Sequence, residues 1–259
     1  MNAPRPARPA DGLAWITGAS SGIGRQLARE LVGHGWIVAA TARREAELAA
    51  LAAEAPGRIV AAPADVTDVR AVAAAVHRVQ TETGRPIALA VLNAGTYLHD
   101  SAERFDLDAF IRQTQVNVIG TATALAAVMP AMIARGAGQL AIVSSVAGYR
   151  GLPRAIAYSA TKAALIAMAE SLKFDLDRAG VMVNVVNPGF VRTPLTDRND
   201  FPMPFLLPVE EAARRIADGL ARGRFEVAFP RRFAAILKLM RILPYALYFP
   251  LVARMTGRR

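Results

Sequence analysis

The chain has 259 residues, a hydrophobic share of 53% and a formal charge of +10. That is enough apolar material for one large α/β domain or two small ones, and too much for a disordered chain. It has no cysteine, which excludes disulfides, thiolate metal sites and a cysteine nucleophile. His34, His77 and His99 show no metal-ligand spacing, so no catalytic metal is expected.

Met1 to Asp11 is rich in Pro, Ala and Arg and reads as a disordered arm. It lacks the apolar centre of a signal peptide and has no run long enough to span a bilayer, so a cytoplasmic protein is expected. Leu13 to Thr17 is a short apolar run, consistent with a buried strand. Gly18-Ala-Ser20-Ser21-Gly22-Ile23-Gly24 follows, then an amphipathic helical pattern from Arg25 to Gly33. A strand, a glycine turn and a helix in that order let the backbone approach a pyrophosphate, which the helix N-terminus attracts.

Trp36 to Thr41 is the next strand, and Ala42-Arg43-Arg44 closes it. In a dinucleotide fold an acid here would hold the ribose 2′-hydroxyl, whereas an arginine accommodates a 2′-phosphate. Arg43, with Arg44 beside it, therefore favours NADP(H), with NAD(H) also admitted; the bland alternative is two solvated loop arginines. A helix over Glu45 to Glu54, a strand over Arg58 to Ala62, and Asp65-Val66 come next. A helix from Asp68 to Thr83 and a strand from Ile87 to Leu92 lead into Asn93-Ala94-Gly95. Strands alternating with helices at this rhythm predict a doubly wound parallel sheet with ligands outside its carboxyl edge.

Asp106 to about Arg135 reads as one long helical region, with Asn117 inside it. A mid-helix Asn disfavours the helix and needs a reason, a buried hydrogen bond or a local distortion. Gly138 to Ser145 is a fifth strand, and Val181 to Asn187 a sixth, followed by Pro188-Gly189-Phe190-Val191-Arg192-Thr193. Between them a long helix spans Ile156 to about Arg178. Tyr158 and Lys162 are four residues apart near its start and share one face. A free phenol titrates at about 10, and a nearby cation lowers that value, so the pair suits general acid–base work on an alcohol or carbonyl oxygen. Ser145 lies thirteen residues before Tyr158, close enough for a strand end and a helix start to bring the two hydroxyls together.

Together these motifs resemble the short-chain dehydrogenase/reductase family in its compact single-domain branch. The match runs through Thr17 to Gly24, Asp65-Val66, Asn93 to Gly95, Asn117, Ser145, Tyr158, Lys162 and Pro188-Gly189, in the family's order and spacing, across residues 13 to 193. The resemblance implies roles. Gly18, Ser20, Ser21, Gly22, Ile23 and Gly24 would line the pyrophosphate and ribose, Asp65 and Val66 would meet the adenine, and Asn93, Ala94 and Gly95 would hold the adenosine half. Tyr158 would be the general acid in reduction and the base in oxidation. Lys162 would bind the nicotinamide ribose and depress the Tyr158 pKa, Ser145 would orient the carbonyl, and Asn117 would anchor a water relay to Lys162. Pro188, Gly189, Val191 and Thr193 would frame the nicotinamide. The family's usual pairing through its central helices implies a homodimer or homotetramer. Two departures stand out: Leu92 sits where many members carry a second Asn, and Ser21 sits where some NADP-preferring members carry a basic residue.

The apolar Asp200-Phe-Pro-Met-Pro-Phe-Leu-Leu segment reads either as a lid over a lipophilic substrate or as a loop packed on the core. A helix over Pro208 to Arg222 and a last strand over Glu226 to Phe229 follow. From Arg231 to Arg259 there are seven Arg/Lys and no acid, among many Leu, Ile, Phe and Tyr. Pro244 and Pro250 break this stretch, so two short amphipathic helices fit it better than a spanning one. They would pack on a partner subunit, cap the cleft, or contact a membrane peripherally.

The expected fold is thus α/β, a Rossmann-like parallel sheet of about seven strands with helices on both faces. Its divisions are an arm at 1–11, a cofactor-binding and catalytic domain at 12–230, and an apolar, basic extension at 231–259. The expected activity is NADP(H)-dependent hydride transfer on a small-molecule carbonyl/alcohol pair. The alternative is a non-catalytic cofactor-sensing or membrane-docking protein. No nucleic-acid partner is expected, because the basic residues are not interleaved with a stacking platform.

Overall fold

The computed structural model describes residues 4–197, 201 and 203–257. Asp200 and Pro202 of the apolar segment, and Arg258 and Arg259 of the basic tail, lie outside them. The described residues form one parallel sheet of seven strands: β1 Leu13–Thr17, β2 Val38–Thr41, β3 Ile59–Ala61, β4 Ile87–Leu92, β5 Gly138–Val143, β6 Val181–Pro188 and β7 Glu226–Phe229. Their order is β3-β2-β1-β4-β5-β6-β7. The order reverses between β1 and β4, which opens a crevice at their carboxyl ends.

Alternation along each strand divides the core between two faces. On one, Leu13 and Trp15 of β1 pack with α3 (Val69–Thr83), α5 (Gly120–Arg135) and α6 (Ile156–Arg178). On the other, Ala14 and Ile16 pack with α1 (Gly22–Gly33), α2 (Glu45–Ala53) and α7 (Val209–Ala221). The last helices, α8 (Arg231–Arg241) and α9 (Tyr245–Met255), join the first of these layers through Ala234, Leu237, Met240, Tyr248 and Val252.

Two expectations need correction. Residues 4–11 are not a detached arm: the Ala7 N–H donates to Gln139 Oε1 of β5 at 2.9 Å, and Pro9–Asp11 forms a 3-10 turn tied by an Arg5–Asp11 ion pair at 2.8 Å. Gln139 is buried, and its oxygen needs a donor that the arm supplies. The long helical region is continuous as expected, running from α4 (Leu107–Thr114) through a π-helical turn over Gln115–Ile119 into α5. Strand β5 stops at Val143, leaving Ser144 and Ser145 beyond the sheet edge as cleft residues.

Candidate active site

β1 and β4 deliver two loops to the crevice, and Thr17 ties them together. Its Oγ1 accepts the N–H of Asn93 at 3.0 Å and of Ala94 at 3.1 Å. Asn93 Nδ2 in turn donates to the carbonyls of Thr17 and Gly18, at 3.0 and 3.3 Å. Gly18 has φ +70°, and a Cβ there would lie 2.8 Å from Ala94 Cα. A Cβ on Gly24 would lie 2.4 Å from the Gly18 carbonyl oxygen. Neither position tolerates a side chain. Among the described residues Ser21, at the N-cap of α1, makes no side-chain bond to the first turn, and that turn carries no acid. Open N–H groups, a positive dipole end and bare backbone fit a pyrophosphate.

The ribose corner lies beside this turn. The Arg44 guanidinium donates to Ser20 Oγ at 3.0 and 3.3 Å, so it leans over the glycine turn. Arg43 is 73% exposed and approaches Asp65 at 3.9 Å. Asp65 Oδ1 accepts from the N–H and hydroxyl of Thr67. Val66 is buried and packs on the bare backbone of Gly120, which gives it a core role too.

Tyr158, Lys162 and Ser145 line one cleft with Ile23, Gly95, Pro188, Gly189, Val191 and Thr193. The Thr193 methyl rests over Gly22, closing the cleft toward the glycine turn. Helix α6 places Tyr158 and Lys162 on one face, with Nζ 5.6 Å from the phenol ring centroid. Lys162 is buried, and its Nζ donates to the Val143 carbonyl at 3.0 Å. Burial without an anion lowers its pKa to about 8. Ser145 Oγ accepts the Ala147 N–H at 3.1 Å and donates to the Pro188 carbonyl at 3.3 Å.

The Tyr158 pKa runs against expectation. Burial raises it, and the opposing pull comes from a hydrogen bond with Ser145 rather than from Lys162. The Lys162 ammonium donates to the Val143 carbonyl, and burial sets the direction of the shift.

Asn117 lies behind the cleft wall in the π-helical turn. Its Oδ1 accepts the Thr96 N–H at 2.7 Å, and its Nδ2 donates to the Thr96 carbonyl and to Thr161 Oγ1, each at 3.0 Å. Both amide protons are therefore committed to protein, and only acceptor capacity remains for a water. The buried-bond and local-distortion explanations for this Asn both hold.

Sequence reasoning missed Asp100. Its carboxylate accepts the N–H groups of Ile156 and Ala157, each at 2.7 Å, and so caps α6 directly before Tyr158. It also missed an aromatic wall. Tyr97 lies 4.9 Å from Tyr158 between ring centroids, and His99 4.8 Å from Tyr97. Phe201 follows at 5.8 Å from His99, then Phe190 at 6.0 Å and Phe233 of α8 at 5.8 Å. The described part of the apolar segment thus sits at the cleft rim.

Comparison with known proteins agrees with this architecture. The family description "short chain dehydrogenase" matches residues 13–201. An uncharacterized oxidoreductase of Myxococcus xanthus is 40% identical over 238 residues, covering 91% of this chain and 94% of its own. A short chain dehydrogenase from Burkholderia cenocepacia, solved with NADP, superposes with a TM-score of 0.82 at 29% identity, covering 95% of this chain and 99% of its own. A 3-ketoacyl-(acyl-carrier-protein) reductase from Brucella melitensis, solved with NADH, gives 0.77 at 27% identity, covering 85% and 98%. With the family match across residues 13–201 and a relative 40% identical over 91% of this chain, the protein belongs to the short-chain dehydrogenase/reductase family of oxidoreductases.

Proposed function

We propose that the protein transfers hydride between NADP(H) and the carbonyl/alcohol carbon of a lipophilic small molecule, with Tyr158 as the general acid/base. The convergence of Tyr158, Ser145 and Lys162 on one cleft beside the glycine turn carries this reading. The nicotinamide, when bound, supplies or accepts the hydride. In reduction the carbonyl carbon gains that hydride, and its oxygen takes the Tyr158 proton to become the alcohol. Ser145 Oγ, turning its proton from the Pro188 carbonyl, orients the substrate carbonyl oxygen beside the phenol. Lys162, held toward Gly95, offers a cation to the ribose hydroxyls and to that phenolate.

The Burkholderia structure holds NADP and the Brucella structure NADH, so relatives of this fold take both cofactors. Arg44 over Ser20, with Arg43 exposed beside it, supports the 2′-phosphorylated one here. The aromatic wall from Tyr97 to Phe233 supports an apolar substrate. Exposed Ile111, Ile119 and Phe174 on the helices of one layer support a homo-oligomer formed through them. A non-catalytic protein would have no use for the Tyr158–Ser145 pairing.

The test is a fluorescence titration with NADPH and NADH side by side, read by the buried Trp15 and Trp36, followed by turnover of a panel of apolar ketones. Tight NADPH binding with turnover that disappears in Tyr158→Phe, while cofactor affinity persists, is expected. Turnover retained in Tyr158→Phe rejects the mechanism.

A further inference from the structure

We propose that the outward face of α8 and α9 seats the protein on an anionic lipid bilayer. Eight of the eighteen large apolar side chains exposed among the described residues fall between Ile236 and Met255. In the eleven residues of α9, Tyr248 and Val252 are the buried ones, while Leu247, Phe249 and Met255 are 58–63% exposed. Ile236 and Leu239 of α8 and Ile242, which caps it, recur every three residues and share the outer side; Leu239 is 63% and Ile242 75% exposed. Contiguous apolar exposure of this kind marks an interaction surface.

The face is held in place rather than frayed. Arg150 Nη1 donates to the carbonyls of Met240 and Leu243 at 2.8 and 2.7 Å, closing the end of α8. Its guanidinium lies 3.8 Å from the Tyr248 ring centroid, and the Tyr248 hydroxyl donates to the Gly151 carbonyl at 2.6 Å. Lys238 pairs with Glu226 of β7. The inner sides of both helices are thereby fixed to the fold, and the outer sides point to solvent.

Charge selects the occupant. The segment 231–257 carries Arg231, Arg232, Lys238, Arg241 and Arg254 and no acid. All five are exposed, and among the described residues only Lys238 has an ion pair. A two-fold contact between copies would set this surface against itself, cation facing cation. An anionic headgroup layer pairs with the arginines while the apolar side chains enter the acyl boundary. Each helix is eleven residues long, about 16 Å, which suits lying in the interface and not crossing it. Phe233, on the inner side of α8, belongs to the aromatic wall of the cleft. Docking would therefore bring the cleft rim within about one helix diameter, roughly 10 Å, of the lipid.

Sedimentation of the full chain with phosphatidylcholine vesicles, with and without phosphatidylglycerol, tests this. Binding to the phosphatidylglycerol vesicles is expected, weakening as salt is added. Leu239→Glu with Phe249→Glu should lower the partition coefficient roughly tenfold or more. Arg232→Ser with Arg254→Ser, which leaves the apolar face intact, should also cost roughly tenfold on anionic vesicles. Val69→Glu, at an exposed apolar position on α3, should bind like the wild type. NADPH binding reports that each variant is folded. Wild type that stays in the supernatant, or both double variants sedimenting normally, overturns the proposal. So does a wild-type oligomer that dissociates in Leu239→Glu/Phe249→Glu by light scattering, because a second copy would then cover the face.

Discussion

Asp100 holds the start of the helix that carries Tyr158: its Oδ2 accepts the Ala157 N–H at 2.7 Å, one residue before that phenol. Ala155, at the N-cap of α6, offers no side-chain acceptor, so a carboxylate 56 residues away in sequence does the capping through Ile156 and 57 away through Ala157. Asp100→Ala should cost about 1–3 kcal/mol of stability, read as a lower urea midpoint. It should also lower kcat about tenfold with little change in cofactor affinity, because the helix start carrying the phenol loosens. Asp100→Asn, which keeps one acceptor oxygen, should recover part of both. An unchanged kcat in Asp100→Ala would show that α6 is positioned by packing alone.

Asn117 sets the loop after β4 against α6. Its carboxamide satisfies both backbone groups of Thr96 and the Thr161 hydroxyl, all at a fully buried position. Asn117→Ala leaves those polar groups without partners and should destabilise the protein by about 3 kcal/mol. Asn117→Asp replaces two donated bonds by repulsion toward the Thr96 carbonyl and should be no better. Thermal unfolding checks this: a variant within about a degree of the wild-type Tm would mean the π-helical turn stands without the side chain.

How much of this was legible in the sequence depends on how local each cause is. β1, β4, β7 and α6 fall where the apolar runs and turn residues put them, since each boundary is written in adjacent residues. The glycine turn and the Tyr158–Lys162 face were legible for the same reason. The π-helical turn was not, because one extra residue per turn changes no residue type; the misplaced Asn117 was its sole trace. Asp100 and the Ala7–Gln139 bond depend on partners 56 or more residues away and leave no local pattern. The direction of the Tyr158 shift depends on how deeply the phenol is buried, which spacing cannot reveal.

On the proposed NADP(H) reading, Arg43 and Arg44 make separable contributions to cofactor choice. Arg44 bonds Ser20, and Arg43 is exposed beside Asp65. A charge-assisted bond to a 2′-phosphate is worth about 1.5–3 kcal/mol, so either Arg→Ala change should raise the NADPH Kd by roughly 10- to 100-fold. NADH binding, which lacks that phosphate, should change less than about threefold. Parallel titrations decide the matter: equal losses for both cofactors would remove the basis for preferring NADP(H).

Lys162 gives the cofactor-free protein a distinctive stability profile. Burial lowers its pKa to about 8 from an ordinary value of 10.5. Below pH 8 both folded and unfolded states hold the proton, and the buried charge is a constant cost, up to about 3 kcal/mol. Above pH 8 the folded state releases the proton while the unfolded chain keeps it, so stability rises with pH. Near pH 10 the sign turns, because burial raises Tyr158, Tyr149 and Tyr248 and their unfolded forms ionise first. The other shifted groups, carboxylates moved down and arginines, titrate outside this window. Urea unfolding of the cofactor-free protein should therefore show a gain of about 1 kcal/mol per pH unit between pH 8 and about pH 9, fading toward pH 10. Lys162→Met should flatten that slope, whatever it does to stability at neutral pH, since only the lysine proton is removed. A slope that persists in Lys162→Met would place the titration elsewhere and remove the unpaired buried ammonium from the account of this site.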